Sequence, residues 1–143
     1  MAETALAKKL KLKDGRAAVL KAPEGYLAEL APGREFATTL DGTFEWLQVF
    51  VTNKAELDAV MPQLVVALAP GALLWLTFPK GSSKVQSDLT RDRGWESVPE
   101  DRLRWVTLVS IDAKWSAFAL RPYREGEERR LRFGGEDEAN RRS

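Results

Sequence analysis

The strongest constraint on the fold is a set of three segments with apolar side chains on both faces. They are RAAVLKA at 16–22, FEWLQVFVT at 44–52 and GALLWLTF at 71–78. Strands of a parallel sheet that is covered on both sides are largely apolar, whereas a strand with one solvated face alternates apolar and polar residues. The three segments therefore predict buried parallel strands. The most apolar of them, 71–78, is predicted to lie at the centre of the sheet.

Helix signals separate these strands. Asn53 followed by Glu56 has the spacing of a capping box, with Asn in the usual Ser or Thr position. Pro62 falls inside the helix that this box opens, and it is expected to kink or split that helix near Val60. Ser87 is the expected N-cap of a short helix after the third strand. The predicted helices are 3–12, 23–31, 53–69 and 87–94, and a weak strand is predicted at 34–38.

The last ordered part of the sequence predicts a hairpin. Segments 103–111 and 115–120 are rich in β-branched and aromatic residues and are joined by three residues, 112–114. This pattern predicts two antiparallel strands. Alternation predicts Leu103, Trp105, Val109 and Ile111 on one face of the first hairpin strand. In strand 44–52 it predicts Phe44, Trp46 and Phe50 on one face, and Leu47, Val49 and Val51 on the other.

The order of these elements predicts the fold class. Strands that alternate with helices are typical of an α/β, Rossmann-like fold, with a mostly parallel sheet, helices on both faces and, here, a C-terminal antiparallel hairpin. We expect one domain at 1–123, with helix 3–12 packed on it. Residues 124–143 contain six arginines and six acidic residues but few large apolar ones, which predicts a flexible charged tail.

Composition excludes several classes of function. The chain has no histidine and no cysteine, which removes imidazole bases, thiol nucleophiles and nearly all transition-metal sites, so we expect no metal. Its net charge of +1 argues against nucleic acid as a partner. The longest apolar tract, 64–78, is interrupted by a Pro-Gly pair and is too short to span a membrane. Without a signal-peptide pattern, the expected location is the cytoplasm.

Two loops contain the candidate ligand-binding residues. In PKGSSK, consecutive amides, two hydroxyls and two ammonium groups could form a cradle for an anion; the alternative is a solvated turn. In KAPEGY, an acidic and a phenolic side chain could position a ligand; the alternative is a helix start with a packed tyrosine. The candidate residues are Lys80, Gly81, Ser82, Ser83, Lys84, Glu24 and Tyr26. No residue is assigned a catalytic role.

The order of elements resembles the C-terminal half of class I S-adenosylmethionine-dependent methyltransferases. The stretches GTFEWLQVF and ALAPGALLWLTFP are similar to their strand and helix–Pro-Gly–strand segments, within a loose match over 16–122. The resemblance implies a cofactor site at the turn after the first strand, where this chain has one glycine, Gly25, next to Pro23 and Glu24. It also implies an acidic residue for the ribose, for which Glu35 and Asp41 are the candidates.

A closer resemblance is to a family of small bacterial proteins of unknown function. It rests on three motifs in order, which are KAPEGY at 21–26, APGALLWLTF at 69–78 and PKGSSK at 79–84. This resemblance implies no reaction. We expect a non-catalytic binding module that takes a small anionic ligand or a protein partner at the strand-end loops. The alternative is a divergent S-adenosylmethionine-dependent methyltransferase. A third alternative is a purely structural or partner-binding role, for which a homodimer could form through the open edge of the hairpin.

Overall fold

A computed structural model describes residues 4–81, 87–124 and 127, which form one five-stranded mixed sheet with three helices. The strands are β1 (Ala17–Leu20), β2 (Phe44–Phe50), β3 (Leu68–Pro79), β4 (Leu103–Ser110) and β5 (Trp115–Pro122); the helices are α1 (Ala5–Lys9), α2 (Tyr26–Leu30) and α3 (Lys54–Val66). The strand order is β1-β2-β3-β5-β4. β1, β2 and β3 are parallel, and β5 is antiparallel to both of its neighbours. The central position of β3 and the antiparallel hairpin are as predicted.

The core consists of two apolar clusters between which the residues of β1 alternate. Ala18 and Leu20 pack with the buried side of α3, whereas Ala17 and Val19 pack with α1 and α2. All four are buried, as the apolar pattern predicts for a strand covered on both sides. We call the apolar cluster that includes α3 the α3 cluster, and the one that includes α1 and α2 the α1–α2 cluster. In the described part of the chain, no helix is long and apolar enough to cross a bilayer.

Two irregularities change which face a side chain occupies. In β4 the register shifts between Trp105 and Thr107, so that Trp105 lies in the α3 cluster while Val109 packs on the α1–α2 cluster. The prediction that these two share a face is therefore wrong, because a β-bulge interrupts the alternation. A second shift, between Phe44 and Trp46 of β2, places Phe44 in the α3 cluster, opposite to the prediction.

Helix α3 runs through its proline without a break. Its N-cap is Asn53, whose side chain accepts from the Glu56 amide at 2.8 Å, as the capping-box spacing predicts. The predicted split near Val60 is wrong, since the helix is continuous from Lys54 to Val66. A proline in a helix interior costs about 3 kcal/mol. Here the Pro62 ring is exposed, and fully buried side chains on either side of it (Leu57 and Leu64) hold the helix on the sheet.

Two predicted elements are much reduced. The weak strand at 34–38 is a single parallel bridge between Ala37 and Ala18. The predicted helix at 87–94 is instead a compact turn closed by a bridge between Thr90 and Arg93. Gly94, with φ of +96°, makes this turn feasible, because a Cβ there would lie 2.9 Å from the carbonyl oxygen of Asp88.

A backbone carbonyl at the end of the N-terminal helix ties that helix to the sheet. The Leu10 oxygen accepts hydrogen bonds from the indole N–H of Trp46 at 2.9 Å and of Trp75 at 2.8 Å. Leu10 and both tryptophans are fully or almost fully buried. An unpaired carbonyl in such a place would be costly, so the two indoles fix where α1 ends.

Candidate ligand site at the carboxyl edge of the sheet

The two candidate loops lie at one edge of the sheet. Strands β1 and β3 are both parallel to β2, so they end on the same side, which we call the carboxyl edge. Glu24 and Tyr26 follow β1, and Lys80 and Gly81 follow β3. Ligands of open α/β sheets bind at this edge. The candidates Ser82, Ser83 and Lys84 lie outside the described residues.

Tyr26 belongs to a buried polar chain beneath the edge. Its hydroxyl donates to Gln48 Oε1 at 2.8 Å, and Gln48 Nε2 donates to Thr77 Oγ1 at 2.9 Å. Burial raises the pKa of the Tyr26 hydroxyl above its ordinary value of 10.0. The ring also packs edge-on against Phe50 at 4.8 Å. This geometry favours a structural role for Tyr26, since its proton is already donated inside the core.

The turn between β1 and α2 is open to solvent. Lys21 and Gly25 both have positive φ, at 58° and 85°, and Glu24 between them is exposed. A Cβ built on Gly25 would meet no heavy atom within 4 Å, so another molecule can approach the backbone there. The following helix, α2, has only five residues. Its amino end therefore does not form an anion site by itself.

Two lysines converge on Ser110 at the end of β4. Lys80 Nζ donates to Ser110 Oγ at 2.6 Å, and Lys9 Nζ donates to the Ser110 carbonyl at 2.9 Å. The Lys80 amide is held by the carbonyl of Lys114 at 2.7 Å. Sequence reasoning found Lys80 but missed Lys9 and Ser110. No local pattern links them, because 101 residues separate the two in the chain.

A small cavity adjoins this cluster of lysines. It has a volume of about 210 Å³ and lies between α1, α2 and the hairpin turn. Its lining consists of Ala5, Leu6, Lys9, Glu29, Ile111 and Asp112. The volume is below the range of roughly 300–1,000 Å³ that is usual for pockets of drug-sized ligands. It suits at most a small ion or one group of a larger molecule.

The amino end of α3, at the same edge, is already occupied by the chain itself. Asp88 Oδ1 accepts from the Lys54 amide at 2.8 Å, and Asn53 Oδ1 accepts from the Glu56 amide. Ser87 Oγ donates to the Thr52 carbonyl at 2.6 Å, which holds the returning loop beside the helix. Two of the amides that attract anions at a helix start, those of Lys54 and Glu56, are thus paired here. An anionic ligand at this edge would depend on the lysines instead.

The two candidates for a ribose-binding carboxylate lie at the opposite edge of the sheet. The Asp41 carbonyl accepts from Arg16 Nη2 at 2.8 Å, and Arg16 precedes β1. Glu35 precedes the bridge at Ala37, which pairs with the first half of β1. Neither carboxylate is placed to reach a ligand at the carboxyl edge.

Comparison with known proteins supports the fold. No protein-family model and no curated protein match the chain, so the resemblance to small bacterial proteins stays a prediction. The structure is similar to ribosomal protein L11 methylase from Lactobacillus delbrueckii subsp. bulgaricus, with a TM-score of 0.56 and 13% identity over 82% of this chain and 74% of the methylase. It is also similar to TehB from Haemophilus influenzae, with a TM-score of 0.50 and 7% identity over 82% of this chain and 61% of TehB. The chain therefore has an α/β, Rossmann-like fold of the methyltransferase type.

Proposed function

We propose that the chain is a divergent S-adenosylmethionine-dependent methyltransferase-like protein, and that its carboxyl edge binds the cofactor or the demethylated product. The observation that carries the proposal is the sheet itself. Three parallel strands are followed by an antiparallel β5 inserted between β3 and β4, and this arrangement aligns with the methylase over 82% of the chain. Such sheets take their ligands at the carboxyl ends of the strands.

The residues at this edge fit the cofactor in two respects. The open space at Gly25 lets a ligand approach the turn after β1 closely. Exposed Glu24 offers a negative charge to the ammonium group of the cofactor, and Lys80, on the loop after β3, offers a positive charge to its carboxylate. The ribose fits less well, because Glu35 and Asp41 lie at the other edge. We therefore expect weaker binding than a site with a ribose carboxylate would give.

The chemistry expected of the chain's own residues is binding and orientation. The bound cofactor would supply an electrophilic methyl group, and holding it in line with a nucleophile is itself a large catalytic effect. Tyr26 is not proposed as a base, because its hydroxyl donates to Gln48 in the core. Glu24 lies in the open turn, and its carboxylate is exposed.

The test is a calorimetric titration with S-adenosylmethionine and S-adenosylhomocysteine, supported by thermal shifts. A ligand at 100 times its Kd should stabilise the fold by roughly 2.7 kcal/mol. We expect Gly25→Ala to weaken binding about tenfold, which is about 1.4 kcal/mol. Gly71→Ala is the matched control, since Gly71 has a similar φ of 78° and equally open surroundings. Absence of binding, or equal loss in both variants, would contradict the proposal.

A second candidate function is suggested by the convergence of Lys9 and Lys80 on Ser110. It is a non-catalytic module that binds a small anion at the same edge. Here inorganic sulfate should stabilise the fold, and Lys9→Met and Lys80→Met should each reduce the effect. Lys8→Met is the control. Lys8 is also exposed on α1, but in the described structure it makes no contact with Ser110. A response to sulfate without one to S-adenosylmethionine would favour this candidate over the first.

A further inference from the structure

A second cavity bounded by described residues lies away from the carboxyl edge. It has a volume of about 690 Å³ and opens between α1, the end of α2 and the segment that leads into β1. Its lining consists of Thr4, Ala7, Leu12, Lys13, Asp14 and residues 30–34. Because these segments precede β1 or follow α2, the cavity lies at the start of the parallel strands, which we call the amino edge. Its volume is within the range of pockets that bind small molecules.

The floor of this cavity is apolar. Ala7 and Leu30 are buried, and Leu12 and Ala31 are partly buried against the α1–α2 cluster. The Thr4 hydroxyl is already used, since it donates to the Leu30 carbonyl at 2.6 Å and accepts from the Ala7 amide at 3.0 Å. The floor therefore suits the apolar or planar body of a ligand and offers it little hydrogen bonding.

Two cations flank the cavity and are held in position by backbone contacts. Lys13 Nζ donates to the Gly71 carbonyl at 2.8 Å. Arg34 Nη2 donates to the Gly15 carbonyl at 2.9 Å, and its guanidinium lies 5.2 Å from the Phe36 ring centre. One such contact leaves a lysine two further N–H groups and an arginine four. Both remaining sets can bind an anion without a large loss of side-chain freedom.

The segment that leads into β1, residues 8–16, is also positively charged. Residues 8–16 contain five cationic side chains, which are Lys8, Lys9, Lys11, Lys13 and Arg16, and a single acidic one, Asp14. All six are exposed. Although the whole chain is nearly neutral, with a net charge of +1, this segment produces a positive local field, and Lys13 is its member that lines the cavity, beside the acidic Asp14. Such a field attracts anions and speeds their association.

We propose that the cavity at the amino edge binds a small phosphorylated molecule, with its apolar or planar body on the Ala7–Leu30 floor and its phosphate between Lys13 and Arg34. A mononucleotide has this combination of groups, and adenosine monophosphate is a suitable probe. The site is distinct from the one under the proposed function, because it lies at the other edge of the sheet and uses other residues. It holds whether or not the carboxyl edge binds S-adenosylmethionine.

The test is a titration of the whole chain with adenosine monophosphate, followed by amide NMR shifts. We expect saturable shifts at Leu12, Asp14 and Gly33, and a loss of affinity of about tenfold in Lys13→Met and in Arg34→Met. Lys11→Met is the matched control, because Lys11 is an exposed lysine two residues away that does not line the cavity. Ala31→Phe should abolish binding by filling the cavity while it preserves the charges.

Three results would overturn the proposal. Adenosine could bind as well as its monophosphate, which would remove the role of the cations. The shifts could map to Gly25 and Lys80, which would assign the nucleotide to the carboxyl edge. Finally, no saturable shift could occur up to about 10 mM ligand, which corresponds to a negligible binding free energy for a specific site.

Discussion

At the scale of single residues, Tyr26 separates a structural from a functional interpretation. Its hydroxyl, Gln48 and Thr77 form one buried chain of hydrogen bonds. Tyr26→Phe would leave the Gln48 oxygen without its donor, and the free energy of unfolding should fall by about 1–2 kcal/mol. Urea denaturation measures this loss. Ligand binding at the carboxyl edge should be unchanged in the folded variant; a stable variant with impaired binding would instead assign Tyr26 to the site.

The same residue gives a pH dependence with a definite sign. Burial raises the pKa of the folded Tyr26 above its unfolded value near 10.0. The stability that this shift represents is fully present below pH 10 and is lost as pH rises further, because only the unfolded chain releases the proton easily. The wild-type chain should therefore lose stability above pH 10 more steeply than Tyr26→Phe. Equal slopes in the two proteins would contradict the buried geometry.

Single residues also show why part of the site could not be read from the sequence. That Glu24 and Lys80 would lie at the ends of strands was predictable, because each follows an apolar segment typical of a buried parallel strand. Lys9 looked like one of several lysines on a solvated helix face, and Ser110 like an ordinary residue at a strand end. Their contact depends on how α1 packs over the sheet, which no local pattern reports.

At the scale of elements, the positions of the strands in the sequence were easier to predict than the face of the sheet on which each side chain lies. The three parallel strands follow from burial on both sides, and the hairpin from its short connection. The bulge at Val106 and the irregularity after Phe44 have no such signal, so the alternation predicted across them was wrong. At Pro62 the cost of a proline inside a helix was correctly identified, but the predicted split does not occur, because packing of α3 on the core outweighs that cost.

The attachment of α1 can be tested by a double-mutant cycle. Either indole alone can satisfy the Leu10 carbonyl, so Trp46→Phe and Trp75→Phe should each cost about 1–3 kcal/mol of stability. Removing both leaves the buried oxygen unpaired, so the double variant should lose about 1 kcal/mol more than the sum. Trp46→Phe with Trp95→Phe is the control, because the Trp95 indole donates to a different acceptor, the Thr90 carbonyl. Additive losses in both pairs would exclude a shared acceptor.

At the scale of the whole molecule, Glu127 ties the segment after β5 back to strands β4 and β5. Arg104 and Arg121 lie directly opposite each other on β4 and β5. The Glu127 carboxylate pairs with both guanidinium groups, bidentately with Arg121 at 2.9 and 2.6 Å, and it accepts from the Arg124 amide. Like charges opposite one another are destabilising unless a counter-charge lies between them. A chain that ended at the domain boundary predicted at 123 would lack that counter-charge. Of the predicted flexible tail, 124–143, residues 125–126 and 128–143 lie outside the described part of the chain.

We therefore expect a chain truncated after Tyr123 to be less stable than one truncated after Glu127. Glu127→Gln in the full chain should show a loss of the same sign, and added salt should reduce the difference because it screens the two arginines. Arg121 and the Arg124 amide hold the pKa of Glu127 below its ordinary value of 4.5. This contribution is present above pH 4.5 and is lost as pH falls below it. Chemical denaturation at two salt concentrations measures the effect; identical midpoints for both truncations would place the boundary at 123.

Helix α1 borders both candidate sites, and this has a thermodynamic consequence. It is only five residues long, far too short to be stable alone, so its position depends on its contacts with the rest of the domain, among them the two indoles at Leu10. From that position it presents Lys9 towards one edge of the sheet and Ala7 towards the other. A ligand that holds α1 in place at one edge lowers the cost of ordering it for a ligand at the other. The two sites would then be linked by a coupling free energy that each ligand experiences equally.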